Sequence, residues 1–337
     1  MTNNKIEQGK AAGWSFGSLA ALALAVKAGW VLYSKRYIDH HAKVNLMLDS
    51  EHHTFESETV GKIKYYESKV ESKKPPILLV HGIHLFAGGH DMVPVFEAFC
   101  AYRKVFLIDL PGFGGSEKSD RAYRPLLYQA AVTEFIRDRI GGPVHVVVMG
   151  QSAEFAALVE EQDKNLFKSI VMINPSGMQM LGTGHISENK WWEQIRNLAL
   201  SYLRVPLWSL PFYDLLASRS SILNYYRKRF TYTPPSDLVD LAYTSAHQPG
   251  AHFAPIFHYC GKLSVPNVRT RHYTQITKPV LVVFDNDPEL RFEMLPNLLH
   301  ANPNWKAFRS TRTRGMPQFE NPGETFRTIE TFWKAYD

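Results

Sequence analysis

The chain has 337 residues, of which 45% are hydrophobic and 21% are charged. This balance is typical of a globular protein that buries a core, and it excludes a disordered chain, a collagen-like fibre and a protein with many membrane spans. The net charge of +6 suits an anionic membrane surface, and no nucleic acid is expected as a partner because no RNA- or DNA-binding motif accompanies the charge.

The first part of the chain is predicted to form a membrane anchor. Ala11–Tyr33 contains 23 residues with Lys27 as its single charge, and a helix of that length crosses a hydrocarbon core of about 30 Å. Lys35 and Arg36 follow directly, and this basic flank favours a main domain on the cytoplasmic side of a plasma or thylakoid membrane. The alternative is an amphipathic helix that lies on a membrane or on a partner protein.

Short apolar runs then alternate with helical stretches. Strands are predicted over 62–67, 77–80, 104–108, 144–149, 168–173, 279–284 and 305–310, and helices over 125–140, 153–162, 290–300 and 324–336. Strands that alternate with helices indicate an α/β fold with a mainly parallel sheet and helices on both faces.

The alternation stops between about Met178 and Val265, where the chain is rich in aromatic residues and has helical spacing. This stretch has the position of an inserted cap, which would cover an apolar pocket or rest on anionic lipid. The alternative is that its aromatic residues form the cap's own core. The predicted organisation is an anchor over 1–40, a first core part over 41–177, a helical cap over 178–265 and a second core part over 266–337.

Four motifs follow predicted strands, in the following order: His81-Gly82 after 77–80, the DLPGFGGS loop at 109–116, Gly150-Gln151-Ser152 after 144–149, and Asp285-Asn286-Asp287-Pro288 after 279–284. Functional groups of open α/β sheets cluster at the carboxyl ends of strands. With these motifs the chain resembles the α/β-hydrolase superfamily, in its cap-bearing branch, over roughly residues 55–337.

The resemblance implies roles for four residues. Ser152 takes the nucleophile position at a turn between strand and helix, and Asp287 takes the position of the acid. The backbone N–H groups of Ile83 and Ala153 would form the oxyanion hole. No cofactor and no metal is expected, since the spacing of the histidines forms no metal triad and two cysteines exclude a Cys-rich zinc site.

Two departures from the family's pattern bear on activity. Glu154 stands where the G-x-S-x-G motif has its last glycine, and Gly315 stands where the family has its catalytic histidine when the chains are aligned on Pro317. A serine without a neighbouring base is too weakly acidic to attack an ester at neutral pH. The candidates for a substitute base are His84, His90, His247, His252 and His258.

These observations leave three functions open. We favour a non-catalytic protein used for binding, scaffolding or assembly at a membrane, with a lipophilic small molecule under the cap or a protein partner in a membrane complex. The second is a serine hydrolase that acts on a lipophilic ester with a substitute base. The third is a cofactor-free lyase-type enzyme, in which Ser152 binds the substrate rather than attacking it.

Overall fold

The computed structural model describes residues 16–180 and 190–337, apart from Asn45, Met47 and Asp49. The chain divides into two compact units, with the boundary between Ile38 and Asp39.

The first unit contains helix α1, Phe16–Tyr37, in which the rings of Trp30, Tyr33 and Tyr37 stack in succession. Among the described residues, no helix is long and apolar enough to cross a membrane. Residues 11–15 of the span predicted over Ala11–Tyr33 lie outside the described residues, and the anchor stays a prediction.

The second unit is built on an eight-stranded sheet with the order β1-β2-β4-β3-β5-β6-β7-β8. Strands β1 and β2 are antiparallel to their neighbours, and the other pairs are parallel. The bounds are Glu51–Ser57 (β1), Gly61–Glu67 (β2), Ile77–Val80 (β3), Val105–Ile108 (β4), Val144–Met149 (β5), Phe167–Ile173 (β6), Val280–Phe284 (β7) and Trp305–Arg309 (β8).

Helices cover both faces of this sheet, as the alternating pattern predicts. Those outside the cap region are Val93–Phe99 (α2), Pro125–Glu134 (α3), Ser152–Gln162 (α4), Leu295–Ala301 (α11), Pro317–Glu320 (α12) and Pro322–Trp333 (α13). Between β6 and β7 lie Lys190–Leu203 (α5), Ser209–Leu216 (α6), Arg219–Arg229 (α7), Ser236–Ala246 (α8), Phe253–Tyr259 (α9) and Val268–Arg271 (α10). Residues 181–189 of the predicted cap lie outside the described residues.

The central strands are apolar because both of their faces are covered. In β3, Leu78 and Val80 belong to one hydrophobic cluster, whereas Ile77 and Leu79 belong to the other. Alternate residues of a strand point to opposite faces, so the two clusters lie on the two sides of the sheet. The parallel strands also end at one common edge of the sheet, and the four motifs that follow them lie at this edge.

Candidate active site

The carboxyl ends of β3, β5 and β7 border a cavity of about 460 Å³. The lining residues that follow these strands include Ile83 after β3, Gly150 and Gln151 after β5, and Asp287 after β7. The cap region contributes Tyr225 and Arg229 from α7 and His258 and Tyr259 from α9. Three of the four strand-end motifs therefore border one cavity, and cap helices close it on another side.

The sharp turn between β5 and α4 is made at Gly150, whose φ is +55°. In the α/β hydrolases that this chain resembles, the nucleophile sits on the strained strand-to-helix turn, where its side chain projects above the sheet. A Cβ built at Gly150 would meet no heavy atom within 4 Å, so the space above the turn is open. The residue that holds the strained position thus has no side chain.

Ser152 lies two residues further on, as the first residue of α4. Its residue is 1% exposed and is not part of the cavity lining. Its hydroxyl donates a hydrogen bond of 2.6 Å to the carbonyl oxygen of His81. A carbonyl oxygen holds this proton without being able to remove it, so the described geometry gives the hydroxyl no base. The role of Ser152 as a nucleophile stays a prediction.

The two predicted oxyanion donors, the backbone N–H groups of Ile83 and Ala153, differ in their hydrogen-bond partners. The N–H of Ala153 is used within the turn, because it donates to the carbonyl oxygen of Gly150 at 3.3 Å. Ile83 and Gln151 line the cavity, and neither backbone N–H has an acceptor within the part of the chain that the structure describes. The structure thus differs from the sequence-based expectation: Gln151, which follows the turn residue, replaces Ala153 as the available donor beside Ile83.

Gly315 lies beside Asp287, in the loop between β8 and α12. Its φ of +132° is a conformation that favours glycine, and a Cβ there would stand 2.9 Å from Oδ2 of Asp287. The same Cβ would stand 3.1 Å from Cγ of Arg229. Neither the backbone nor the surrounding space at this position accommodates a histidine side chain.

Arg229 reaches Asp287 from the cap. The residue is 6% exposed, its guanidinium lies 3.8 Å from the ring centroid of Tyr225, and Nη2 donates to the carboxylate of Glu289. Its Nε lies 4.0 Å from Oδ2 of Asp287. Burial raises the pKa of Asp287, and the charge of Arg229 opposes that rise. The acid position is therefore retained, but a cation from α7 stands beside it where a hydrolase has an imidazole.

The candidate substitute bases are dispersed. His84 and His258 line the cavity, and Nε2 of His84 lies 2.8 Å from the carboxylate of Asp91. Burial lowers the pKa of His258 to about 4. His90, His247 and His252 are not among the residues that line this cavity. The hydroxyl of Ser152 therefore donates its hydrogen bond to a backbone oxygen and not to one of these rings.

Glu154 is buried in the first turn of α4, directly after the turn between β5 and α4, which we call the elbow. Its carboxyl group accepts hydrogen bonds from the hydroxyl of Ser176 and, at 2.6 Å, from the backbone N–H of Val265. It therefore joins α4 to the loops after β6 and after α9. Burial raises its pKa from 4.5 to about 7, which means that the group is close to half-protonated at neutral pH.

The sequence placed Gly150 and Gln151 in a strand-end motif but indicated no role of their own for them, and it did not identify Arg229 as part of this site. The glycine before the serine was a usable signal, because glycine is the residue type that adopts positive φ most readily. Arg229 gave no local signal, since it meets Asp287 only through folding of the cap. Among the described residues, no group of three or more His, Cys, Asp or Glu side chains could hold a metal ion.

Comparison with known proteins identifies similar folds. A sequence profile described as "Alpha/beta hydrolase family" matches residues 77–328. No curated protein matches the sequence significantly.

Three solved structures illustrate the structural similarity. A bacterial membrane phospholipase A has 19% identity and a TM-score of 0.64, with 95% of this chain and 92% of that chain covered. The CarC serine hydrolase of carbazole degradation has 15% identity and a TM-score of 0.65, with 85% and 99% covered. A thermophilic esterase from Thermogutta terrifontis has 14% identity and a TM-score of 0.63, with 85% and 99% covered.

Proposed function

Because the chain belongs to the alpha/beta hydrolase family, we propose that it is a non-hydrolytic member that binds a lipophilic ligand in the cavity under the cap. The observation that carries this proposal is the pair of glycines at the two positions that hydrolysis needs most. Gly150 holds the strained turn of the elbow, and Gly315 lies against the acid Asp287. With no side chain at either position, the site lacks both an attacking group and a base.

The position of Ser152 supports the same conclusion. Its hydroxyl is buried outside the cavity lining and is bonded to the carbonyl oxygen of His81. To act as a nucleophile it would have to break this bond and pass the turn at Gly150. Its size suits a different role, because small residues at the start of this helix allow close packing against the strands.

The cavity keeps features that suit binding. Ile83 and Gln151 present backbone donors, which are suited to one ligand oxygen such as that of a carbonyl group. The walls at Met149, Phe86 and Leu290 are apolar, and the open space above Gly150 enlarges the room for a ligand. A lipophilic carbonyl compound, such as a lipid, a terpenoid or a pigment-derived ester, fits this combination of surfaces.

The test measures chemistry and binding on the same protein. We expect no labelling by a fluorophosphonate probe between pH 6 and 9, and no hydrolysis of p-nitrophenyl butyrate above background. Nile red, a neutral lipophilic carbonyl dye, is expected to bind, and Leu290→Trp should weaken its binding because Leu290 lines the cavity. Leu126→Trp is the matched control, since Leu126 is exposed on α3.

The following results would overturn the proposed function. Ester hydrolysis that disappears in Ser152→Ala, or fluorophosphonate attached to Ser152, would replace this proposal with a serine hydrolase. Equal loss of dye binding in Leu290→Trp and Leu126→Trp would show that the cavity is not the binding site.

The N-terminal helix supports a second part of the proposal, which is association with a membrane surface. Within α1, Leu24, Val26 and Leu32 are exposed, and the last turn carries Lys35 and Arg36. Exposed apolar residues next to basic ones are suited to the headgroup region of a membrane. Flotation of the full chain with phosphatidylglycerol vesicles tests this, and Leu24→Glu together with Leu32→Glu should reduce the floated fraction. An unchanged floated fraction would count against this role for α1.

A further inference from the structure

Helix α5 of the cap carries a stripe of exposed apolar side chains. Trp191, Ile195, Leu198 and Tyr202 are spaced four, three and four residues apart, which places them on one side of the helix. They are between 37 and 73% exposed, and Trp192 beside them is also exposed. Runs of large exposed apolar residues are uncommon on monomeric globular proteins and often mark interaction sites.

Other residues of α5 contact the rest of the protein, and the stripe therefore faces outward. Leu200 packs against the hydrophobic core, and α5 packs against α9. Lys262 donates to the side chains of Glu193 and Asn197, which fixes the helix at another point. Helix α5 is therefore held against the rest of the cap by residues other than those of the stripe.

The charge of the region indicates what covers the stripe. Between Lys190 and Val265 the sequence has eight basic and four acidic residues. Arg227 and Lys228 are exposed in the last turn of α7. Tryptophan and tyrosine are enriched where a membrane meets water, and basic residues are attracted to anionic headgroups. We propose that the α5 stripe, defined as Trp191, Trp192, Ile195, Leu198 and Tyr202, docks on the surface of a bilayer that contains anionic lipid.

This docking surface adjoins the cavity. Tyr259, at the end of α9, lines the cavity and is 58% exposed, and α9 is the helix against which α5 packs. A bilayer on the stripe would thus lie near one wall of the cavity, and a lipophilic ligand could exchange between the two. Exchange of a ligand between bilayer and cavity rests on the proposed function, whereas docking of the stripe on the bilayer does not.

The first experiment measures binding of the full chain to vesicles of phosphatidylcholine with phosphatidylglycerol, by sedimentation. Leu198→Glu is expected to weaken binding about tenfold or more, since it removes a leucine that docking would bury and adds a charge that anionic lipid repels. Leu126→Glu is the matched control, because Leu126 is a leucine of similar exposure outside the stripe, at 66% against 73%. We expect the control to bind like the wild type.

A second readout locates the contact. Vesicles with brominated acyl chains quench tryptophans that enter the bilayer, and the quenched emission should fall when Trp191 and Trp192 are both replaced by phenylalanine. Contributions from α1 do not obscure this difference, because α1 is unchanged in the variant.

Three results would overturn the docking proposal: equal vesicle binding by Leu198→Glu and wild type, equal weakening by Leu198→Glu and Leu126→Glu, or the same quenching with and without the tryptophan pair. A wild-type dimer that Leu198→Glu converts into a monomer would instead assign the stripe to a second copy of the chain. Nile red binding is measured separately, and Leu198 does not line the cavity, so failure of docking and failure of the proposed ligand binding are distinguishable.

Discussion

Replacing Glu154 by glutamine should make the folded protein more stable at pH 8 and leave its stability nearly unchanged at pH 4.5. The carboxyl group is buried, and burial raises its pKa from 4.5 to about 7. At about 1.4 kcal/mol for each pH unit between the two values, the unfolding free energy linked to this proton amounts to about 3 kcal/mol. Glutamine is neutral at every pH and can still accept from the N–H of Val265 while its amide donates to the hydroxyl of Ser176.

The sign follows from proton binding. The folded state holds the proton on Glu154 more tightly than the unfolded state does, so this contribution to stability is complete below about pH 4.5 and is lost as the pH rises through about 7. Above that range the folded wild type keeps a buried carboxylate, whereas the glutamine variant does not. The variant should therefore exceed the wild type by about 3 kcal/mol at pH 8.

Urea unfolding followed by circular dichroism at pH 4.5, 6 and 8 measures the difference between the two proteins at each pH. Glu58→Gln is the control for the change in net charge, because Glu58 is exposed between β1 and β2. A difference between Glu154→Gln and wild type that stays constant from pH 4.5 to 8 would refute the reasoning, as would a wild type that is the more stable protein at pH 8.

The other predictions concern the glycines and the serine of the site. Gly150→Ser should fold with a loss of about 1–2 kcal/mol, because a φ of +55° strains a side chain even though the added Cβ meets nothing within 4 Å. It should not hydrolyse p-nitrophenyl butyrate, because Gly315 supplies no base, and measurable turnover would contradict this view of the site. Gly315→Ala should lose about 2 kcal/mol in urea unfolding because its φ of +132° disfavours a side chain, and an unchanged midpoint would disagree. Ser152→Ala should lose about 1–2 kcal/mol with the hydrogen bond to His81, yet bind Nile red with wild-type affinity; weaker dye binding would place the hydroxyl in the ligand site.

The sheet could be predicted from the sequence because its inner strands are buried on both faces. Ile77–Val80, Val144–Met149 and Val280–Phe284 are continuous apolar runs of strand length, and such runs have few other uses in a chain of this kind. Strand β1 was not predicted, because Glu51–Ser57 is an edge strand with largely exposed residues and no apolar run. Its position depends on pairing with β2, which follows after a short turn.

The site could be located from the sequence but not resolved in detail. The strand-end motifs place Asp287 and the elbow at one edge, since parallel strands end together. Which residue of Gly150-Gln151-Ser152 holds the strained turn depends on where α4 begins, and helix ends are poorly fixed by local pattern. The neighbour of Asp287 depends on a cap residue 58 positions earlier, Arg229, whose contact exists only in the folded chain.

The positive φ of Gly315 also bears on how this protein could change by mutation. A histidine at that position alone would meet Asp287 and Arg229 on a backbone that suits glycine. A serine at Gly150 alone would have no partner to activate it. On the proposed function, ester cleavage could not be gained in single advantageous steps, because each replacement by itself brings no gain and both place a side chain on a backbone with positive φ. Under that proposal, substitutions that improve ligand binding could reshape the cavity without restoring turnover.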